Sequence, residues 1–512
     1  MNRTSPQSPR AATADEGRDT ATRLAVSALA HEGLHTDAAT FRTWLADCRD
    51  RTRTTVELRP LETLRSWRAD PHTGDIGHTS GGFFTVRGLD VEVPGAAVER
   101  WQQPIISQPE VGILGILVKE FGGVLHFLMQ AKAEPGNING IQLSPTVQAT
   151  RSNYTGVHGG KAVPYLDHFR DTARHRVLAD VRQSEQGAWF HHKVNRNMIV
   201  EVTEPVDLLD SFCWLTLAQL HSLLLLDDMV NMDARTVLSC LPVSGPGAAS
   251  AYPRAGHDRF GRALDHSADP GFRAAHTDSE ILGWITEERT RQERRVREIP
   301  LDRVVGWHLR DGRIRHENDL FFDVVGVAVE AVGREVGRWE QPMIAPRGTG
   351  LVALLVREFD GVLHVLLHAR VEAGHLDVLE LAPTVQCIPD TYEHLPPAAR
   401  PRFLDTVLAA RPENVRFDAV HSEEGGRFLH ARTRYMVVES DAELPLGDCP
   451  EYRWLALHQT GALLRHSHYL NIQARSVIAC LHSLAGRPPA GDGTNAHLGA
   501  DGRAEPEGRR QT

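Results

Sequence analysis

The sequence has few of the features that mark secreted, disulfide-bonded or membrane proteins. Its six cysteines are spread over 512 residues without a C-x-x-C pair, which is too sparse for a disulfide scaffold. No apolar run reaches about 18 residues, the length that suggests a membrane span. The first 20 residues lack an apolar core of signal-peptide length. We therefore expect a cytoplasmic protein with no membrane attachment.

Motifs for common cofactors and nucleophiles are also missing. There is no G-x-G-x-x-G pattern for a dinucleotide and no G-x-S-x-G elbow for a serine nucleophile. The glycine-rich run 156–160, followed by Lys161, lacks the leading glycine and the Ser/Thr of a phosphate loop. A formal charge of −10 argues against nucleic acid as a partner.

One zinc-like pattern occurs near the N-terminus. Residues 31–35 read H-E-G-L-H and fit H-E-x-x-H, which requires both imidazoles on one helical face. Gly33 and Asp37 instead predict the end of one helix and the N-cap of the next. We therefore expect no metal at this position.

The chain contains the same domain twice. Residues 101–148 align without a gap on 339–386, with nearly half of the positions identical. Two copies of this length, at about 35–242 and 276–482, indicate a duplicated domain rather than a solenoid. The predicted organisation is a disordered tail (1–22), a first repeat (23–242), a linker (243–270), a second repeat (271–485) and a second disordered tail (486–512).

Each repeat predicts an α+β fold. In the first repeat, apolar runs at 111–118 and 124–131 flank Gly122-Gly123 and predict a hairpin, and a third strand is expected at 141–148. Helices are expected at 38–51 and 165–180, with a closing helical region at 215–241. We therefore expect each repeat to pack its helices around a mixed or antiparallel sheet.

Polar residues concentrate on one face of the predicted sheet and in the loop that follows it. Alternation places Gln130, Lys132, Gln142 and Gln148 on one face, which suits a binding site better than a core. Segment 151–161 is rich in Arg, Asn, Tyr, His and Lys. Because the second repeat has prolines at several of the corresponding positions, we expect one working site, in the first repeat. The second pocket would be vestigial or would only bind.

Glu185 stands beside a glycine turn in a Ser-Glu-x-Gly motif that recurs at Glu423. A carboxylate at this position could form the turn, or it could hold a ligand hydroxyl or act as a base.

The chain resembles the NDP-hexose 2,3-dehydratase family of deoxysugar biosynthesis in segments 78–89, 103–160, 417–428 and 469–481. The resemblance implies a tandem duplication of a Nudix-like domain with added helices, with the halves related by a pseudo-twofold. It also implies a homodimer that needs no metal or nicotinamide. The metal-binding helix of Nudix hydrolases is absent from the sequence.

The implied reaction removes water across carbons 2 and 3 of dTDP-4-keto-6-deoxy-D-glucose, and a 3-ketoreductase would take the 3,4-diketo product. The alternatives are a nucleotide-sugar epimerase or isomerase, and a non-catalytic nucleotide-sugar-binding subunit that supports a ketoreductase. For acid–base work we expect Tyr154, His158 and Glu185. Cationic side chains are expected to anchor the diphosphate, and the candidates are Lys132, Arg151, Lys161 and Arg196. Amide side chains are expected to hydrogen-bond the sugar or the base, and the candidates are Gln130, Gln142, Gln148 and Asn153. Trp67 or Phe84 would stack on thymine.

Overall fold

The computed structural model describes residues 14–150, 162–246, 258–332, 336–440 and 449–485. Within these ranges the chain is a mixed α+β protein, and each repeat packs its helices on a large sheet to form its own core. No helix of the described ranges is long and apolar enough to cross a membrane. The helices are α1 (Ala14–Leu29), α2 (Ala38–Arg51), α3 (Asp167–Arg170), α4 (Leu217–Leu223), α5 (Met232–Leu238), α6 (Arg259–Ala268), α7 (Asp278–Arg291), α8 (Leu404–Leu408), α9 (Leu457–Leu464) and α10 (Ile472–His482).

Both repeats contribute a full set of strands. Those of the first are β1 (Thr54–Arg59), β2 (Trp67–Ala69), β3 (Ile76–His78), β4 (Thr85–Glu92), β5 (Arg100–Ser107), β6 (Gly112–Phe121), β7 (Val124–Ala133), β8 (Ile141–Ser144), β9 (Val147–Ala149), β10 (Arg176–Ser184), β11 (Phe190–His191), β12 (Val194–Glu201) and β13 (Phe212–Thr216). Those of the second are β14 (Arg295–Ile299), β15 (Trp307–Arg310), β16 (Arg313–His316), β17 (Phe322–Ala331), β18 (Arg338–Pro346), β19 (Gly350–Phe359), β20 (Val362–Arg370), β21 (Glu380–Ala382), β22 (Val385–Cys387), β23 (Val415–Ser422), β24 (Arg432–Glu439) and β25 (Tyr452–Ala456).

The large sheet of the first repeat is built around the β6–β7 hairpin. Its strand order is β10-β12-β6-β7-β13, with β8 beside β7 and β9 beside β6. Gly122 and Gly123 both have positive φ, 57° and 83°, as a two-residue type I′ turn requires. The hairpin prediction is thus confirmed. The predicted third strand is divided into β8 and β9 at Pro145, because proline cannot donate to a strand ladder.

Each small sheet contains one strand of the other repeat. Strand β1 of the first repeat pairs along its length with β17, and β14 of the second repeat pairs with β4. The repeats therefore cannot separate without breaking two antiparallel ladders. The boundaries 23–242 and 271–485 stay a prediction, but the two repeats are structurally interdependent.

Contacts between the repeats come in reciprocal pairs. Arg235 donates to the carbonyl oxygen of Ser422 at 3.0 Å, and the equivalent Arg475 donates to that of Ser184 at 2.5 Å. Both guanidinium groups are buried. Reciprocity of this kind is what a twofold axis between two like bodies produces.

The helical predictions had mixed outcomes. Helix α1 ends at Leu29, and α2 begins after Asp37, whose side chain accepts from the Thr40 amide at 2.7 Å. The H-E-G-L-H stretch thus lies between two helices. The prediction of a helix over 165–180 is wrong beyond Arg170, because α3 ends there and β10 begins at Arg176. The spacing of Val177, Leu178 and Val181 also fits a helix, but pairing with β12 decides the structure.

We expect Gly136→Ala to lower the free energy of unfolding. The Gly136 amide donates to the Gly425 carbonyl at 2.7 Å, and an added Cβ would lie 1.7 Å from the Phe428 carbonyl oxygen. Since backbone atoms block this position, the loss should be about 1–3 kcal/mol or more, measured by urea unfolding.

Gly283→Ala is the matched control. Gly283 lies inside α7 with open space around its Cα, so alanine should stabilise the protein by about 0.5–1 kcal/mol. Equal stabilities of the two variants would contradict the close approach of the repeats at Gly136.

Candidate active site

A cavity of about 540 Å³ lies where the two repeats meet. Strands β7, β9 and β12 of the first repeat supply the polar residues Gln130, Lys132, Gln148 and Asn195. The second repeat contributes Trp339, Glu424 and Arg427. We call this space the N-repeat cavity.

Several residues predicted from the sequence lie around this cavity, namely Trp67, Phe84, Gln130, Lys132, Gln148 and Glu185. Two others do not line it. Gln142 is fully buried and donates to Ser422 Oγ of the second repeat at 2.7 Å. Arg196 pairs with Asp180 through two hydrogen bonds of 2.6 and 2.7 Å. Its neighbour on β12, Asn195, faces the cavity, so Arg196 points to the opposite side of the sheet.

The remaining predicted residues lie outside the described part of the chain. They are Arg151, Asn153, Tyr154, His158 and Lys161. Thr150 and Val163, close to either end of that segment, both line the N-repeat cavity. The roles of these five residues stay predictions.

Sequence reasoning missed a charged group that the fold assembles here, consisting of Glu134, Lys193, Asp233, Glu424 and Arg427. A usable signal was present in the comparison of the repeats. Lys193, Asp233 and Arg427 stand where the other copy has Ala431, Gln473 and Trp189. A charge kept in one copy alone indicates a role specific to one site.

Five residues with carboxyl groups line the N-repeat cavity, namely Glu134, Glu185, Asp233, Glu340 and Glu424. Burial raises the pKa of Glu185 above its ordinary value. Burial, together with the charges of Glu185 and Glu134, raises the pKa of Asp233 well above its ordinary range. Removal from water also raises the pKa of Glu424 to about 7, although Arg427 opposes this shift. With a pKa of about 7, Glu424 exchanges its proton near neutral pH.

Three of these carboxyl groups, those of Glu185, Asp233 and Glu424, keep an oxygen without a hydrogen bond within the described residues. Glu185 Oε1 accepts from the Asn195 side chain at 2.5 Å, whereas its Oε2 has no hydrogen bond within the described residues. Asp233 Oδ1 is likewise buried without a hydrogen bond in that part of the chain. These two oxygens and Glu424 Oε2 can therefore take a proton from, or give one to, a bound molecule.

Cationic side chains lie beside the carboxyl groups. Lys132 Nζ is 3.3 Å from the Gln148 carbonyl oxygen and 4.0 Å from Glu134 Oε1. Burial lowers the pKa of Lys193 to about 8. Arg427 lies 4.4 Å from the centre of the Phe84 ring. These cations give the cavity affinity for an anionic group such as a phosphate.

An aromatic wall completes the cavity. The rings of Trp67 and Phe84 lie 4.5 Å apart, and the Trp67 indole donates to the Glu340 carbonyl at 2.6 Å. This bond holds Trp67 against the second repeat, so the wall is fixed by both repeats. The two rings are tilted by 45° to each other, and each offers an apolar face against which a planar ring can pack.

The second repeat has its own cavity of about 880 Å³, which we call the C-repeat cavity. It keeps Glu423 at the position of Glu185. Here both carboxylate oxygens are engaged, because Oε1 accepts from the Tyr435 hydroxyl at 3.0 Å and Oε2 accepts from Gln186. A fully bonded carboxylate is less suited to proton transfer than Glu185.

Buried carboxyl groups of raised pKa beside cations suit the N-repeat cavity to acid–base chemistry on an anionic molecule. The chain belongs to the NDP-hexose 2,3-dehydratase family, whose model matches residues 38–241 and again residues 278–481. The double match agrees with the tandem repeat, and it confirms the family resemblance found in the sequence.

Three relatives carry the name dTDP-4-dehydro-6-deoxy-alpha-D-glucopyranose 2,3-dehydratase. The protein from Saccharopolyspora spinosa is 50% identical over 449 residues, 87% of this chain and 91% of the relative. The protein from Amycolatopsis orientalis is 47% identical over 478 residues, covering 92% and 96%. The protein from Streptomyces violaceoruber is 46% identical over 453 residues, covering 88% and 98%.

The raised pKa of Glu424 predicts a pH-dependent stability. Since the pKa of about 7 exceeds the ordinary 4.5, the folded protein holds this proton more strongly than the unfolded chain. The contribution of this proton to the free energy of unfolding is fully present below about pH 4.5, and it is lost as the pH rises through the folded pKa of about 7. Glu424→Gln stays neutral, so its stability relative to wild type should rise by roughly 2 kcal/mol between about pH 5 and about pH 8.

Urea unfolding at both pH values measures this difference. Glu287→Gln, at an exposed position of α7, is the control and should follow the wild type at both. A stability difference between Glu424→Gln and wild type that does not change with pH would contradict the raised pKa.

Proposed function

We propose that this protein is a hydro-lyase that eliminates water across carbons 2 and 3 of dTDP-4-keto-6-deoxy-D-glucose. The carbon 3 proton is acidic because it lies α to the carbon 4 ketone. After its removal the carbon 2 hydroxyl leaves as water, and the enol tautomerises to the 3,4-diketo-2,6-dideoxy sugar. The observation that carries the proposal is the group of carboxyls with raised pKa beside cations in the N-repeat cavity of a chain of this family.

The reaction needs one group that accepts a proton and another that donates one. Glu185 and Asp233 suit these tasks, because each has a raised pKa and an oxygen without a hydrogen bond in the described part of the chain. An ionised carboxylate would take the carbon 3 proton. A protonated carboxyl group would give its proton to the departing carbon 2 hydroxide, which then leaves as water. Tyr154 and His158 remain candidates for the same tasks and for donating to the ketone oxygen.

The other residues of the cavity would position the substrate. Lys132, Lys193 and Arg427 offer positive charge for the diphosphate, with Arg151 and Lys161 as further candidates. Gln130, Gln148 and Asn153 would hydrogen-bond the sugar or the base. Trp67 and Phe84 provide the apolar wall for thymine. The working site is then the N-repeat cavity, and the C-repeat cavity lacks the same proton-transfer groups.

Further proposals follow from the family. The repeats are Nudix-like domains, the protein is a homodimer in the cytoplasm, and a 3-ketoreductase consumes the product. Such a reductase suits the chemistry, because a 3,4-diketo sugar is reactive and is stabilised once carbon 3 is reduced.

The direct test of the reaction is mass spectrometry of the incubated nucleotide sugar. With dTDP-4-keto-6-deoxyglucose, purified protein and an aromatic diamine, we expect a diamine adduct whose sugar has lost one water, because the diamine traps a 1,2-diketone. Boiled protein is the control.

Two other outcomes would overturn the dehydratase proposal. Deuterium uptake from heavy water without loss of mass would indicate an epimerase. Binding without any chemical change would indicate a non-catalytic subunit.

A matched pair of variants tests which cavity works. Glu185→Gln should lower kcat by about 10²–10⁴-fold, as expected for loss of a general acid or base. The equivalent Glu423→Gln should stay within about threefold of wild type, since that carboxylate is fully bonded. Initial rates of product formation measure both effects. A larger loss in Glu423→Gln than in Glu185→Gln would place the reaction in the C-repeat cavity.

A further inference from the structure

Two histidines and a glutamate meet on the first repeat outside both cavities. His168 lies on α3, His175 precedes β10 and Glu204 follows β12. His168 Nδ1 is 3.4 Å from His175 Nε2 and 3.6 Å from Glu204 Oε1. Within the described ranges these three form the one His, Cys, Asp and Glu group compact enough to hold a metal ion.

The spacing of these atoms fits a bound divalent cation. Zinc takes nitrogen and oxygen ligands at about 2.0–2.2 Å in a tetrahedron, whose ligand atoms are then roughly 3.3–3.6 Å apart. With Nδ1 of each histidine as the ligand atom, the distances to Glu204 Oε1 are 3.6 Å from His168 and 3.5 Å from His175, which fall at this value. Two imidazoles and one carboxylate are also a common ligand set for zinc, with water completing the coordination.

The surroundings of His175 support a ligand role. Its side chain is 8% exposed, and its Nδ1 is buried without a hydrogen bond in the described part of the chain, 3.5 Å from Glu204 Oε1. A buried imidazole nitrogen without a hydrogen bond is costly unless a further partner binds it. His168 and Glu204 are more exposed, at 26% and 41%, which gives an ion access from solvent.

We propose that His168, His175 and Glu204 bind one zinc-like divalent cation that braces the first repeat. The site is structural, because none of the three residues lines either cavity. At the position of His175 the second repeat has Glu413, which is exposed.

The ion would hold a segment that matters for the N-repeat cavity. Phe169, next to His168, packs on β6 so closely that a Cβ on Gly115 would meet its ring at 2.4 Å. Val163 and Pro164, just before α3, line the cavity. Fixing α3 to the end of β12 therefore fixes one wall of the proposed active site.

Metal titration of the full-length protein, without a polyhistidine tag, tests the site. After removal of metals with a chelator, Co²⁺ is titrated and its visible absorption recorded, and Zn²⁺ is then added as competitor. We expect one Co²⁺ per chain, displaced by Zn²⁺, with affinity at least about tenfold weaker in His168→Asn and in Glu204→Gln. His466→Gln, at an exposed position of the second repeat, should bind as wild type.

Thermal unfolding supplies a second readout. Zn²⁺ should raise the Tm of wild type and His466→Gln by about 2–5 °C and leave that of Glu204→Gln unchanged. Glu204→Gln preserves the shape of the side chain, so its folding can be verified without metal. Absence of Co²⁺ binding, or equal binding by wild type and Glu204→Gln, would overturn the proposal. Neither readout depends on the dehydratase activity.

Discussion

Two backbone hydrogen bonds between the repeats set the geometry on which the rest of the protein depends. The amide of Gly136 donates to the carbonyl of Gly425, and the amide of Gly374 donates to that of Gly187, both at 2.7 Å. Only glycine allows the chains to approach this closely, because a Cβ on Gly136 or Gly374 would fall 1.7 Å from a carbonyl oxygen. Because Gly187 and Gly425 belong to the two Ser-Glu-x-Gly motifs, these bonds hold the turn after each motif against the other repeat. Each cavity is therefore completed by side chains that its own repeat does not encode.

This arrangement explains how two copies of one domain became chemically different. The turn of the second repeat brings Glu424 and Arg427 to the N-repeat cavity, whereas the turn of the first brings Gln186 and Trp189 to the C-repeat cavity. A substitution in one repeat thus alters the site of the other. A second carboxylate, Glu424, next to buried Glu185 lowers the stability of the protein unless a cation offsets the added negative charge. Arg427, on the same turn as Glu424, supplies such a cation. Gln186 and Trp189, the equivalent residues in the C-repeat cavity, are uncharged and need no neighbouring cation.

Part of this structure could be predicted from local sequence. Gly122-Gly123 between apolar runs fixes the hairpin, and alternation along β7 correctly places Gln130 and Lys132 at a polar face. The exchange of β1 and β14 could not be predicted, because equivalent strands of like repeats have the same pattern whichever sheet they join. Glu424 and Arg427 were missed for the same reason, since they reach the N-repeat cavity only through the contact between the repeats. The pairing of Arg196 with Asp180 could not be predicted either, because the sequence alone does not say which face of β12 lies towards the cavity.

Burial of several carboxyl groups in one cavity has a consequence for the proposed elimination. The reaction requires a base that is ionised and an acid that is protonated at the same pH, in the same site. Isolated glutamates would both be ionised at neutral pH, but buried neighbours raise the pKa of one another, so that some of them keep a proton. A diphosphate bound beside Lys132 and Lys193, as proposed, would add negative charge there. It would weaken the attraction between these cations and the carboxylates, and so favour further protonation of the carboxylates. Substrate binding would then itself help to place a proton where the hydroxide has to leave.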